Sequence, residues 1–177
     1  MNRILPLDAG KVTLRTLEES DADQIAFHAN NPNIAHFTAN VPYPYKKEDA
    51  IVWISKTRSG MQLGKQYTFG IEYDKRIVGA IGLKVDDSNN EAEVGYWLGE
   101  EYWNKGLCTD ALQAVVRFGL DSLKLHKING SYLSHNLASS RVLNKCGFIV
   151  DCVLKDHIFK NDKYFDLVKC YLLSPEK

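Results

Sequence analysis

The chain has 177 residues, and its 45% hydrophobic and 25% charged residues are typical of a globular protein long enough to bury a sizeable core. The 22 Lys and Arg residues balance the 22 Asp and Glu residues, and this neutral balance disfavours a strongly basic nucleic-acid-binding protein. No apolar stretch approaches the roughly 18 residues of a membrane helix, and residues 1–6 lack the apolar run of a signal peptide, so we expect one cytoplasmic domain over residues 1–177 that binds neither nucleic acid nor membrane.

The cysteines carry no metal-site or redox pattern. They form no C-x-x-C pair, and no histidine lies at zinc-ligand spacing from them. We expect reduced thiols, packed mostly as small apolar groups, and no metal site. The four residues are Cys108, Cys146, Cys152 and Cys170.

The first 60 residues favour one strand and two helices. Val12 and Leu14 alternate with polar neighbours, which is typical of a strand. Residues 20–23 are a helix start of the N-cap type, and Gly60 is expected to end the second helix. In chain order the predictions are a strand over 11–15, a helix from 20–23 to about 29, a break at 30–33, an aromatic loop over 37–45 and a helix over 47–59.

The rest of the chain predicts a meander followed by a strand-helix-strand unit. Strands are predicted over 67–73, 77–85 and 91–98, since apolar residues alternate there between polar turns. Apolar residues then follow helical spacing over 107–121. The last predicted elements are a strand over 128–133, a helix over 138–145 closed by a left-handed Gly147, and strands over 148–154 and 165–173 with a turn at 160–162 between them.

The segment 95–112 predicts a strand that ends in a short loop before a helix begins. The loop contains Lys105 and Gly106. A helix N-terminus presents unpaired N–H groups and a partial positive charge, and glycine lets an anion approach the backbone closely. Neither a phosphate-binding P-loop pattern nor a G-x-G-x-x-G dinucleotide pattern occurs. These residues are therefore consistent with an anion site of another kind, or with a plain strand-to-helix turn.

A second strand-to-helix junction, over 136–148, also places polar residues at the start of a helix. Asn136 or Ser139 could cap that helix. A cap explains one polar residue, but it does not explain why both junctions are built for polar ligands.

Together the two segments resemble the GNAT superfamily of N-acetyltransferases, and within it the branch of ribosomal-protein N-terminal acetyltransferases. Residues 103–112, WNKGLCTDAL, are similar to the family pattern W-G-K-G-Y-A-T-E-A-L. Residues 136–148 are similar to N-x-x-S-x-R-V-L-E-K-x-G-F. The likeness extends over nearly the full length and includes residues 12–15, 77–83, 95–98 and 164–166.

The resemblance implies a mixed α/β fold, with a central, mostly antiparallel sheet flanked by helices and splayed at its middle strands. Acetyl-CoA would bind in the splay without a metal, with its pyrophosphate on the N–H groups of 104–109 and its pantetheine arm beside 96–98. The amine acceptor would approach over 30–45. The cofactor-binding residues implied are Tyr96, Trp97, Leu98, Trp103, Asn104, Lys105, Gly106, Leu107, Cys108, Thr109, Asn136 and Ser139.

Several residues depart from the family pattern. Cys108 stands where the family usually has Gly or Ala. Trp103 stands where the wider superfamily often has Arg or Gln, and a tryptophan there is usual in this branch. Leu143 stands where many members have a tyrosine that protonates the leaving thiolate, and the branch's proposed substitute is here Ser139. The strand 128–133 lacks the glutamate that some relatives use as a base. The resemblance therefore implies Ser139 as the catalytic partner of the thiolate.

The base is a more open question. Glu93 could deprotonate the amine directly or through water, and Glu72 is a weaker candidate of the same kind; either could instead be a solvated or structural strand residue. Trp97 is expected in the core, and Asp166 in a structural hydrogen bond. None of the histidines belongs to a motif, so surface or packing roles are expected for His28, His36, His126, His135 and His157.

The expected activity is transfer of acetyl to a primary amine by direct attack in a ternary complex. At pH 7 an α-amine is about 14% free base and a lysine amine about 0.04%. Without a dedicated base, and with no Asp or Glu in segment 30–45, a protein or peptide N-terminus is the favoured acceptor. The alternatives are a polyamine or aminoglycoside acetyltransferase, and an acyl-CoA sensor without turnover.

Overall fold

The computed structural model describes residues 6–175. Its strands are β1 (Leu7–Ala9), β2 (Val12–Arg15), β3 (Gln66–Tyr73), β4 (Arg76–Asp86), β5 (Glu91–Leu98), β6 (Lys127–Leu133), β7 (Ile149–Lys160) and β8 (Lys163–Leu173). Its helices are α1 (Ala22–Ala29), α2 (Pro32–Phe37), α3 (Lys47–Gln62), α4 (Leu107–Arg117) and α5 (Leu137–Lys145). Residues 1–5, where we expect no signal peptide, lie outside the described residues, as do 176–177.

All eight strands form one sheet in the order β1-β2-β3-β4-β5-β6-β8-β7. Neighbouring strands are antiparallel except β5 and β6, which are parallel. The pairing of β5 with β6 stops at Val94 and Gly130, although β5 continues to Leu98 and β6 to Leu133. This confirms the predicted mixed, mostly antiparallel sheet with splayed middle strands.

The two faces of the sheet are covered differently. On one face, Leu107, Leu112 and Val115 of α4 are buried in the same cluster as Phe69 and Ile81 of the sheet. Each large apolar side chain contributes about 1.5–3 kcal/mol when it is buried, so this stripe holds the start of α4 firmly against the sheet.

On the other face, α1 and α3 form a smaller cluster over β4. Ile25 of α1 and Ile54 of α3 are buried there with Leu17 and Ile77. This cluster lies beside the end of β5, where Trp97 packs against it.

Several predicted boundaries are wrong. The break at 30–33 is short, because Asn31 caps a new helix, α2, by accepting the N–H of Asn33 at 2.8 Å. The strand predicted to end at 154 continues as β7 to Lys160, since bulges keep it paired with β8 to its end. β1 and the turn Glu100–Tyr102 were not predicted.

The glycine positions explain two further differences. α3 runs through Gly60, where a Cβ would lie 3.0 Å from Gln66 Cβ, and the left-handed glycine after this helix is Gly64 (φ 69°). The helix predicted over 107–121 ends as an α-helix at Arg117 and continues as a π turn, Phe118–Ser122. Gly147 (φ 87°) closes α5 as predicted.

Candidate functional site

Two grooves open at the splay between β5 and β6, one on each side of the sheet. The helix-side groove, about 530 Å³, lies against the starts of α4 and α5. The open-face groove, about 450 Å³, lies on the opposite face between the loop after α2 and the ends of β3–β6. The residues that line both are Phe37, Thr38, Tyr96, Trp97, Asn136 and Ser139. The two grooves therefore meet beside Tyr96 and Ser139.

The start of α4 presents free backbone donors to the helix-side groove. Asn104 (φ 61°) and Gly106 (φ 81°) both have left-handed backbone, which turns successive N–H groups toward one side. Within the described residues, the N–H groups of 104–108 have no protein acceptor, whereas those of Thr109 and Asp110 donate to the Gly106 carbonyl at 3.0 and 3.1 Å. The predicted anion site thus has its donors at 104–108, and the N–H of Thr109 is already engaged.

Cations surround these donors. Lys11 Nζ donates to the Lys105 carbonyl at 3.1 Å, while Lys105 Nζ lies 5.1 Å from the Tyr102 ring centroid. Arg141 and Lys145 line the same groove. Lys11, Arg141 and Lys145 were not among the predicted site residues, although the four-residue spacing of Arg141 and Lys145 places them on one face of a helix.

The strand edge in the splay is partly occupied. Leu98 does not present a free carbonyl, because Trp103 Nε1 donates to it at 2.7 Å. Trp103 also packs edge-on against Phe37, with ring centroids 5.9 Å apart. Trp103 is therefore a structural anchor of the loop before α4, and Trp97 belongs in part to the core, as predicted.

Asn136, not Ser139, caps α5. Its Oδ1 accepts the N–H of Ser139 at 3.0 Å, and its Nδ2 donates to the Phe37 carbonyl at 2.9 Å. The hydroxyl of Ser139 instead lies 2.8 Å from Tyr96 Oη. Burial raises the pKa of Tyr96, so that this phenol stays protonated. The cap explanation for the Ser139 side chain is thereby removed.

Three of the four thiols are unsuited to nucleophilic catalysis. Burial raises the pKa of Cys108, on the first turn of α4, to about 12. It raises the pKa values of Cys146 and Cys170 to about 11. All four cysteines are free, and no cluster of three or more metal-ligating side chains occurs in residues 6–175.

Glu93 lies on the floor of the open-face groove. Its Oε1 accepts hydrogen bonds from Ser131 Oγ at 3.0 Å and Lys169 Nζ at 3.1 Å. Of the described residues that line this groove, it carries the only carboxylate. Glu72, the weaker candidate, lines neither groove and accepts from Arg15 Nε at 2.6 Å, which is a structural contact.

Two glycines lie on the floor of the open-face groove. Gly95 faces Gly82 across the strands β5 and β4. A Cβ built on Gly95 meets no atom within 4 Å, so packing within the chain does not require glycine there. A glycine within a strand often marks a place where a ligand approaches the backbone.

The loop after α2 is held over this groove from a distant part of the chain. Lys160 Nζ, at the tip of the β7–β8 hairpin, donates to the carbonyls of Ala35 at 2.6 Å, Thr38 at 2.9 Å and Val41 at 3.4 Å. Burial lowers the pKa of Lys160. Asp166, on the same hairpin, accepts from Lys155 Nζ at 2.8 Å and from the Asp156 N–H at 3.0 Å, in the structural role expected for it.

Comparison with known proteins adds to this geometry. The model of the family "Acetyltransferase (GNAT) domain" matches residues 11–149. An uncharacterized N-acetyltransferase p20 of Bacillus licheniformis is 26% identical over 94% of this chain and 94% of its own length. The [ribosomal protein uS5]-alanine N-acetyltransferase of Escherichia coli is 26% identical over 96% of this chain and 91% of its own length.

A solved structure has the same fold. The microcin self-immunity acetyltransferase, in complex with acetyl-CoA and AMP, superposes with a TM-score of 0.86 at 22% identity and covers 93% of each chain. In the described part of the present chain, no helix has the length and apolar character of a membrane span.

Proposed function

Because this chain belongs to the GNAT family of acetyltransferases, we propose that it transfers acetyl from acetyl-CoA to the N-terminal α-amine of a protein or peptide. The observation that carries the proposal is the meeting of the two grooves beside Tyr96 and Ser139. One groove offers free backbone donors and a free strand edge, which would suit an anionic, strand-like ligand, and the other would admit an amine from the opposite face. Two substrates that enter from opposite sides can react directly.

The helix-side groove fits acetyl-CoA. The N–H groups of 104–108 would hold the pyrophosphate, and Arg141 and Lys145 would add cationic contacts to the phosphates. Beyond Val94, β5 has no partner strand on its β6 side, so its free edge would pair with the amides of the pantetheine arm. Acetyl-CoA supplies an activated acyl group with a thiolate leaving group. The proposed contacts of acetyl-CoA are the twelve cofactor-binding residues that the family resemblance implies, together with Arg141 and Lys145.

The reaction needs a neutral amine and a stabilised thiolate. We assign Ser139 as hydrogen-bond donor to the leaving sulfur, because its hydroxyl lies where the grooves meet and does not cap α5. A thiol has a pKa of about 8.5, so a hydrogen bond suffices and a strong acid is unnecessary. Glu93 is assigned as proton acceptor through water, since it is the carboxylate of the open-face groove.

An α-amine suits this site better than a lysine amine. The deprotonation cost differs by about 3.5 kcal/mol, from pKa values of about 7.8 and 10.4. Glu93 already accepts hydrogen bonds from Lys169 and Ser131, and its side chain is half-exposed. It is therefore poorly placed to offset the higher cost of deprotonating a lysine amine. The Escherichia coli relative that acts on ribosomal protein uS5 alanine supports a protein N-terminus as the acceptor.

The test is a competition between three acceptors. One peptide has a free N-terminus and blocked lysines, the second has a blocked N-terminus and free lysines, and the third acceptor is a polyamine. Mass spectrometry should show acetylation of the first peptide, at an initial rate at least tenfold above the others.

Faster acetylation of the lysine peptide or the polyamine would contradict the acceptor assignment and favour a small-molecule enzyme. Binding of acetyl-CoA without release of free thiol, with every amine, would instead identify a sensor. A Gly95→Val variant provides a control for the acceptor path. It should lower acetylation of the free N-terminus while leaving acetyl-CoA affinity unchanged, because residue 95 lines only the open-face groove.

A further inference from the structure

Tyr96 presents its phenol at the meeting point of the two grooves. Its ring is half-buried against the core on the α4 side of the sheet. Its hydroxyl lies 2.8 Å from Ser139 Oγ and 3.4 Å from the Ser139 carbonyl oxygen. No other residue in the described part of the chain is within hydrogen-bonding distance of the Ser139 hydroxyl.

We propose that Tyr96 is a positioning residue for acetyl transfer: its phenolic O–H donates to Ser139 Oγ and thereby aims the serine hydroxyl hydrogen at the leaving sulfur. The proposal rests on the acetyl-CoA-dependent function proposed above. In the proposed function, residue 96 contributes only its backbone, as part of the strand edge beside the cofactor. The present inference adds a role for the Tyr96 side chain, as a hydrogen-bond donor.

The direction of this hydrogen bond follows from the chemistry of the two hydroxyls. A phenol is a better donor than an aliphatic alcohol, and a serine oxygen has two lone pairs that can accept. The shorter distance, to Oγ rather than to the carbonyl, favours the serine oxygen as the acceptor. With one lone pair taken by Tyr96, the serine hydrogen must point elsewhere.

The space left for that hydrogen is the junction of the grooves. The N–H of Ser139 is held by Asn136 Oδ1, so the first turn of α5 cannot rotate freely. Tyr96 and Ser139 both line the helix-side groove and the open-face groove. In the proposed arrangement the serine hydroxyl hydrogen is directed into the junction of the grooves, where the acetyl group and the amine would meet.

The proton and electron balance assigns Tyr96 a supporting role. In the transfer the C–N bond forms and the C–S bond breaks with its electron pair going to sulfur. The amine loses one proton through water to Glu93, and the sulfur finally gains one from water. Ser139 donates a hydrogen bond to the developing thiolate, and donation from Tyr96 polarises Ser139 and strengthens that bond. Tyr96 keeps its own proton, because burial holds the pKa of its phenol far above that of a thiol.

Bound CoA tests the inference without turnover. The thiolate absorbance of CoA bound to the protein is titrated with pH, after subtraction of the protein alone, in the wild type and in Tyr96→Phe, Ser139→Ala and the double variant. The bound thiol in the wild type should have a pKa below about 8.5, and Tyr96→Phe should raise it by about 0.5–1 unit, the equivalent of one neutral hydrogen bond. Because Tyr96 acts through Ser139, the double variant should match Ser139→Ala.

Tyr67→Phe is the matched control. Tyr67 is half-buried against the same cluster, its ring lies 5.3 Å from that of Phe118, and it lines neither groove. Removal of the Tyr67 hydroxyl should leave the pKa of the bound CoA thiol unchanged. In steady-state kinetics with a free N-terminal peptide, Tyr96→Phe should lower kcat about threefold to tenfold, with an unchanged KM for acetyl-CoA.

The outcomes separate the inference from the proposed function. An unchanged thiol pKa in a folded Tyr96→Phe variant of an active enzyme would overturn the inference alone. If adding Tyr96→Phe to Ser139→Ala shifted the pKa of the bound thiol further, Tyr96 would not act through Ser139, and the inference would be overturned. If the wild type bound no CoA, the proposed function would fail, and the inference would fail with it.

Discussion

The loop before α4 can be tested by a single charge at Gly106. A Cβ at this position lies 3.4 Å from Lys11 Nζ, and the backbone has φ 81°, so every L residue there is strained. We therefore compare Gly106→Asp with Gly106→Asn: both residues tolerate left-handed backbone and have nearly the same size, but only one carries a charge. A carboxylate about 6 Å from a unit of phosphate charge costs about 0.7 kcal/mol in water and about 3 kcal/mol at an effective dielectric constant of 20. Attraction to Lys11 offsets part of this repulsion.

We expect acetyl-CoA to bind about tenfold more weakly to Gly106→Asp than to Gly106→Asn, which corresponds to about 1.4 kcal/mol. Calorimetric titration of the two variants measures the difference directly. The ratio should shrink at high salt, because the Debye length falls from about 10 Å at 0.1 M to about 3 Å at 1 M. Equal affinities in two folded variants would refute the assignment of this loop to the pyrophosphate.

Three other perturbations test the acceptor side and the fold. Glu93→Gln should lower kcat/KM for an α-amine by about tenfold or less, because about 14% of the amine is already free base at pH 7; a loss above a hundredfold would show that the site depends on a dedicated base. Lys160→Met removes one hydrogen bond to the last turn of α2 and two to the loop after it, while keeping most of the side-chain length. It should raise the KM for a peptide about threefold to tenfold with unchanged acetyl-CoA affinity, and an unchanged KM would contradict the role of that loop in binding the acceptor. Burial, partly opposed by Glu101, lowers the pKa of His28, so the unfolded chain binds the proton more readily. The stability that His28 contributes should be fully present above about pH 6.5 and lost as the pH falls through the lowered folded-state pKa. In urea unfolding, the free energy of unfolding of His28→Gln should therefore fall less steeply with decreasing pH than that of the wild type. An identical fall in both proteins would exclude His28 as its source.

Local sequence was sufficient where structure depends on near neighbours. The loop at 103–106 and the start of α4 were predicted because Lys105 and Gly106 lie between a strand pattern and apolar residues that follow helical spacing. The structure adds that Gly106 has left-handed backbone. The meander β3–β5 was predicted from alternation between polar turns. The predicted end of α3 at Gly60 was wrong, because the sequence does not reveal why a position requires glycine. At Gly60 the reason is the close contact with Gln66, and the glycine with left-handed backbone is Gly64.

The sequence by itself therefore determined the family resemblance, the order of the elements other than β1 and α2, and the residues of the two junctions, since these are encoded within a few positions along the chain. Only the tertiary structure decided which side chains meet. Tyr96 reaches Ser139 across 43 positions, and Lys160 reaches Ala35 across 125. Such contacts depend on strand register and on where β5 and β6 separate. Register is set by the packing of the whole sheet, because a shift of one residue exchanges the faces of every side chain in a strand. For that reason the sequence predicted Ser139 as a candidate, and only the fold placed a buried phenol beside it.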